Sequence, residues 1–163
     1  MSELVLKRCG AERIDECIEV FRGSLIWERY FSENDRLRRS LGKAAERGEL
    51  WCAFTPEGDI AGAMRVVPRG FCGLYHYLAL IGSSPAHRGR GAGRFLMNEF
   101  ESMARTDGCL RTCLLVSDFN LHAMEFYRSL GYWELGVIPD ASKPGIAEHV
   151  MLKDLSAAEV EKP

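Results

Sequence analysis

The sequence predicts one mixed α/β domain, and three observations predict it. An apolar run, Leu78-Ala79-Leu80-Ile81, is stopped by Pro85 and followed by the Gly-rich stretch His87-Arg88-Gly89-Arg90-Gly91-Ala92-Gly93, then by Phe95, Leu96, Phe100 and Met103 at helical spacing. That is strand, turn and helix in order. Strand-like and amphipathic helical patterns share the rest of the chain, with no repeat, linker or low-complexity tract between them. Finally, 163 residues with 47% hydrophobic content can bury one real core and are too few for two typical domains. The domain is expected over residues 1–155, with 156–163 as a loose tail.

Taken in order, Leu4 to Lys7 reads as a first strand, followed by an amphipathic helix carrying Ile14, Cys17, Ile18 and Phe21. A second helix spans about Asp35 to Arg47, with Leu37, Leu41 and Ala44 or Ala45 on one face. Leu50–Thr55 and Ile60–Val67 flank Pro56-Glu57-Gly58-Asp59, a hairpin turn. After a break at Pro68 to Gly70, the stretch Phe71–Ser83 reads as the central strand. The helix after Gly93 ends near Gly108, Leu110–Val116 is a strand, and Leu121–Leu130 is a helix stopped by Gly131. Tyr132–Leu135 and His149–Leu152 close the sheet, with Val137–Ile146, rich in Pro and Gly, read as a loop able to cover a site.

Composition excludes several classes. A net charge of -2 argues against a general nucleic-acid or anionic-membrane surface, so the arginines around Gly91 form a local patch suited to a small anionic ligand. Met1 to Cys9 contains no long hydrophobic segment, so neither a signal peptide nor a membrane span is expected, and the cytoplasm is the default compartment. Six cysteines without a Cys-x-x-Cys pair read as reduced, mostly buried thiols. The four histidines show no metal-ligand spacing with them, and no metal is expected.

The Gly-rich stretch is the strongest functional signal. Gly89, Gly91 and Gly93 admit backbone angles closed to other residues, so successive N–H groups can converge on one anion at the positive end of the following helix. Arg88, Arg90 and Arg94 add side-chain charge. It is not a nucleoside-triphosphate loop, because no Gly-Lys-Ser/Thr follows, and it lacks the dinucleotide fingerprint. Arg-x-x-Gly-x-Gly alone occurs by chance in roughly one chain in six of this composition. The strand before it and the helix after it carry the reading.

With a second motif, Asn120-Leu121-His122-Ala123-Met124-Glu125-Phe126-Tyr127-Arg128-Ser129-Leu130-Gly131-Tyr132, the chain resembles the GNAT superfamily of acetyl-CoA-dependent N-acetyltransferases. Ile81 to Gly93 is similar to that family's strand, proline and Arg/Gln-x-x-Gly-x-Gly/Ala loop. The second motif is similar to its Asn-x-x-Ala-x-x-x-Tyr helix and Leu-Gly-Tyr/Phe ending. The likeness covers about residues 50 to 155 well and the first 50 in outline. It implies a mixed, mostly antiparallel sheet of about six to seven strands flanked by about four helices, with a splayed parallel strand pair holding the cofactor.

By position, the resemblance implies that backbone groups of Ile81 and Ser83 pair with the pantetheine arm. Gly89, Arg90, Gly91, Ala92, Gly93 and Arg94, with Arg88, would hold the pyrophosphate, and Asn120 would fix the pantetheine side. Asn120 also reads as an ordinary helix N-cap, and both roles are compatible. Gly82 and Ser83 stand where relatives often carry larger apolar residues.

Tyr127 is the residue the resemblance assigns to chemistry, although Ala123, Met124, Tyr127 and Leu130 also form a core-facing stripe. Amine attack on a thioester expels a thiolate, and a phenol of pKa about 10 can donate a proton or hydrogen bond to it. The acceptor amine, pKa about 10.4, must itself lose a proton. Many relatives place a glutamate on the strand before Asn120, but the matching position here is Leu115. Tyr77, on one face of the central strand, and His76, on the other, are the candidates for removing that proton.

The acceptor pocket is expected from the first helical region and from Gly136 to Ala147. Trp27, Tyr30 and Phe31, with Glu28 and Glu33 nearby, would suit a cationic amine if they line it, and form core or hinge if they do not. The resulting expectation is transfer of an acetyl group from acetyl-CoA to a primary amine of a small molecule or peptide by direct attack, in a chain for which a homodimer is a compatible assembly. The competing reading, supported by Leu115, is a catalytically silent acyl-CoA-binding or regulatory domain.

Overall fold

The computed structural model describes residues 3–155, so the expected loose tail lies outside the described residues. The elements are β1 (Val5–Arg8), α1 (Ile14–Phe21), α2 (Arg36–Glu46), β2 (Leu50–Phe54), β3 (Ile60–Phe71), β4 (Tyr75–Ser83), α3 (Ala92–Thr106), β5 (Arg111–Ser117), α4 (Leu121–Ser129), β6 (Trp133–Lys143) and β7 (Ile146–Asp154). The seven strands form one mixed sheet in the order β1-β2-β3-β4-β5-β7-β6, so β4 is central. β1–β2, β2–β3, β5–β7 and β6–β7 pair antiparallel, whereas β4 and β5 pair parallel, with His76, Tyr77 and Leu78 opposite Thr112, Cys113 and Leu114. No described helix is long and apolar enough to cross a membrane.

The chain divides into two compact units, residues 3–67 with 79–100 and residues 68–78 with 101–155. In the first, Ile14, Cys17, Ile18 and Phe21 recur at i, i+3, i+4 and i+7 and are all buried, packed with Leu37, Leu41 and Ala44 of α2 and with Leu50 and Cys52 of β2. Gly82 has a packing explanation here: a Cβ built on it would sit 2.6 Å from Cε1 of Phe21, so the absent side chain admits the ring against β4. In the second unit, Cys113, Val150 and Leu152 form a small core with Phe71, Tyr75, Tyr77 and Leu115 against it. The buried Glu101 carboxylate accepts a 2.7 Å hydrogen bond from Lys153.

Two expected boundaries are corrected. β3 does not stop at Pro68 but runs to Phe71, and the chain reverses at Cys72 and Gly73, whose φ values are 53° and 74°. Arg69 takes φ 50° inside β3, and its N–H donates to Nδ1 of His76 at 3.2 Å. That side-chain acceptor lets the strand continue past a proline. The expected loop from Val137 to Ile146 is instead a β6–β7 ladder, with Val137 opposite His149, Ile138 opposite Glu148 and Lys143 opposite Ile146. Pro139 is tolerated because β6 is the edge strand, where a missing N–H need not cost a ladder bond. The ladder is irregular between Ile138 and Lys143, where Asp140 lies at φ 53° and accepts from the Gly145 N–H at 2.6 Å.

Candidate active site

The Gly-rich segment leaves β4 through a single turn at Pro85–His87 and enters α3. Gly89 and Gly91 adopt φ 73° and 88°, and a Cβ on either would meet nothing within 4 Å. These glycines are therefore required by backbone conformation and leave open space beside it. Gly93 differs from the expectation. It lies in the first turn of α3, and its φ is not positive. The Phe95 N–H closes the first helical turn on the Gly91 carbonyl at 2.9 Å, so the amides of Ala92, Gly93 and Arg94 stand at the helix start, where the α-helical ladder supplies no acceptor. The positive end of a 15-residue helix adds to the attraction for an anion.

A groove of about 1140 Å³ runs along this segment, lined by Gly89, Arg90, Gly91, Ala92 and Arg94 together with Thr55, Glu57 and Asn98. The exposed guanidinium groups of Arg90 and Arg94 belong to it. Arg88 acts differently, donating to the carbonyls of Ser83 at 3.3 Å and Arg22 at 2.9 Å and so bracing the loop against the end of α1. Ile81 and Ser83 are half-buried at the end of β4.

In the second unit, Asn120 caps α4, its Oδ1 accepting from the Ala123 N–H at 3.3 Å. That accounts for its residue type locally and is compatible with a further contact. Tyr127 is 7% exposed on the inward face of α4 with Met124, and its ring meets Tyr132 edge-on at 5.9 Å. Burial pushes the Tyr127 phenol well above the usual tyrosine value. Such a group stays protonated near neutral pH and has a proton to donate.

Tyr77 and His76 fall on opposite faces of β4, as strand alternation predicts. His76 is buried, with Nε2 2.8 Å from Oδ2 of Asp107 and Nδ1 accepting from the Arg69 N–H, with the Cys109 thiol at 3.3 Å. Both ring nitrogens thus tie the β3–β4 hairpin to the turn after α3. Tyr77 packs on the face that carries Cys113, Leu115, Val150 and Leu152. Trp27 and Phe31 pack against the first unit's core, with Arg22 over the Trp27 ring at 4.8 Å.

Two groupings escaped the sequence. Cys9, Cys17 and Cys52 bring their thiols together in the core of the first unit, with successive sulfur separations of 3.4 and 3.5 Å. They are 8 and 35 residues apart in sequence, a spacing without a recognisable pattern. Glu148, 4% exposed, accepts a 2.8 Å hydrogen bond from the Ser117 hydroxyl across the β5–β7 ladder. The only sequence signal for it was a charged residue inside an alternating strand.

Residues 14–132 match the model described as "Acetyltransferase (GNAT) family". No curated protein sequence matches the chain significantly. Among solved structures, a nourseothricin acetyltransferase is 27% identical with a TM-score of 0.59 over 65% of this chain, which spans 64% of that protein's length. Ard1 from Thermoplasma volcanium is 17% identical with a TM-score of 0.75, covering 93% of this chain and 97% of that one. Naa20 from Chaetomium thermophilum, solved with a bisubstrate analogue, is 21% identical with a TM-score of 0.69, covering 92% and 86%. The latter two establish a shared fold.

Proposed function

Because the chain belongs to the GNAT acetyltransferase family, and is thus an acyltransferase, we propose that it transfers an acetyl group from acetyl-CoA to a primary amine by direct attack within a ternary complex. The observation that carries this reading is the pair of positive-φ glycines, Gly89 and Gly91, opening on a groove at the start of α3. That combination suits the pyrophosphate of a CoA thioester, with Arg90 and Arg94 supplying countercharge. Arg88 serves by holding the loop, and Asn120 serves the pantetheine side while capping α4. The acceptor belongs to the amines of small molecules or peptides, a range that includes those named for the structural relatives.

In this reading, the amine nitrogen bonds to the thioester carbonyl carbon, the C–S bond breaks with its electron pair on sulfur, and the Tyr127 hydroxyl gives a proton to the thiolate. Tyr127 regains a proton as the amide nitrogen loses its own. No covalent enzyme intermediate is needed. Before attack, the ammonium must lose one proton. The β4 face carrying Tyr77 suits that step better than His76, both of whose ring nitrogens are engaged.

The test pairs calorimetric acetyl-CoA binding with thiol release over nourseothricin, spermidine, amino acids and short peptides. Acetyl-CoA should bind, and at least one amine should be turned over. Tyr127→Phe, which keeps the ring packing, should lower kcat by about 10²–10⁴ with little change in acetyl-CoA affinity. Wild-type turnover in that variant would return Tyr127 to core packing, and failure to bind acetyl-CoA would end the acetyl-transfer reading.

A further inference from the structure

Cys9, Cys17 and Cys52 stand apart from the candidate active site, and acyl transfer by direct attack has no use for them. They come from just after β1, from α1 and from β2, all within the first unit, yet their three sulfurs lie within 4.8 Å of one another. Cys17 is the middle member, 3.4 Å from Cys9 and 3.5 Å from Cys52. Among the described residues, no histidine or carboxylate joins the group. The surroundings are apolar, since the three belong to one core cluster with Ile14, Ile18, Phe21 and Leu50.

Three converging sulfurs without a fourth ligand restrict what such a site can hold. Thiolates favour soft centres, which sets aside Mg²⁺ and Ca²⁺. Charge narrows the choice further: three thiolates leave one net negative charge around a divalent ion and two around Cu(I), and burying charge without a partner is costly. Arg13, whose charge reaches Cys9, is already paired with Glu16. Zinc would also lack the fourth of its usual ligands. Around trivalent arsenic the complex is neutral and three ligands suffice. Geometry agrees, because bonds of about 2.3 Å space three sulfurs about 3.8–4.0 Å apart in tetrahedral or planar coordination but about 3.5 Å apart around a pyramidal centre with angles of about 100°. The separations on either side of Cys17 match the pyramid.

We propose that Cys9, Cys17 and Cys52 form a binding site for trivalent arsenic. Arsenous acid enters uncharged, each thiol displaces one hydroxyl as water, and three As–O bonds are exchanged for three As–S bonds. The oxidation state does not change, and no net proton is released. The arsenic takes the place of three S–H hydrogens, so the space asked of the core is small. Cys9 bonds first, being the least buried of the three, with its thiol held below the ordinary value by hydrogen bonds from Cys17 and Cys52. Occupancy then ties the end of β1, α1 and β2 together by covalent bonds.

The test loads the protein during refolding, because the three thiols are closed to solvent in the folded chain. Wild type unfolded in urea with a phosphine reductant is refolded with and without arsenite and desalted. It should retain one arsenic per chain, gain the mass of one arsenic less three hydrogens, and then unfold at a higher urea concentration. X-ray absorption should count three sulfur neighbours and no oxygen. Changing the exposed Cys72 to serine should leave retention intact, whereas Cys17→Ala should abolish it. Cys9→Ser, whose hydroxyl keeps the Gly10 carbonyl as a partner, decides the matter if Cys17→Ala fails to fold. Zinc offered in the same way should not be retained. An arsenic-free wild type, an oxygen among the neighbours of the bound arsenic, undiminished retention in Cys9→Ser or Cys17→Ala, or stoichiometric zinc each overturns the assignment.

Discussion

The proposed cofactor cradle and the proposed acceptor face differ in how their residues are gathered. Gly89 to Arg94 are contiguous, and a turn feeding a helix gathers the candidate anion site from neighbouring amides. The proposed acceptor face draws Tyr77, Cys113, Leu115 and Val150 from three strands, placed together by the β4–β5 and β5–β7 registers. Local chemistry is written in a motif; chemistry assembled by strand pairing is written only in the register.

Gly91→Asp is the sharpest way to break this comparison. It places negative charge and a strained side chain at a φ of 88°, and acetyl-CoA affinity should fall by about a hundredfold or more in calorimetry. Tyr77→Phe should leave that affinity within about twofold while lowering kcat/KM for the acceptor. Equal losses in both variants would show that the two functions are not separable.

Next in size is a stability effect. Gly82→Ala drives a Cβ to within 2.6 Å of the buried Phe21 ring, which should cost about 1–3 kcal/mol in urea unfolding. An unchanged midpoint would mean that α1 shifts freely against β4, and that Gly82 is there for the cofactor instead.

The pH dependence is a smaller test. Burial raises the Tyr127 pKa, so its contribution to stability is fully present below the unfolded value near 10 and is lost as pH rises beyond it toward the folded value. Accordingly, kcat should show no falling limb from this phenol below about pH 10. A limb at pH 8–9 that disappears in Tyr127→Phe would contradict its buried setting.

Thiol labelling should be the mildest perturbation. Cys72 is exposed, while Cys9, Cys17, Cys52, Cys109 and Cys113 are buried, and burial pushes Cys113 up to about 12. Under native conditions one thiol should react rapidly with an alkylating reagent and five only on unfolding. Fast loss of several thiols would show that the buried cores open readily.

Much of the fold was legible because its signals are local. Ile14 to Phe21 and Leu37 to Ala44 carried helical periodicity, and the motifs at Gly89 and Tyr127 marked α3 and α4. The misreadings fell at Pro68 and Pro139, where local propensity says stop. Tertiary structure overrode it, through the His76 side chain accepting the Arg69 N–H in one case and through the free edge of β6 in the other. Motif order and the glycines by themselves pointed to the family and to a candidate anion site, because such a site at a helix start needs only adjacent backbone groups. Only the tertiary structure decided that His76 is held at both ring nitrogens, that Gly82 makes room for Phe21, and that Glu148 shares a sheet face with Leu115. Each depends on which residues distant in sequence are brought opposite one another, and side-chain alternation fixes the faces only once the strand register is set.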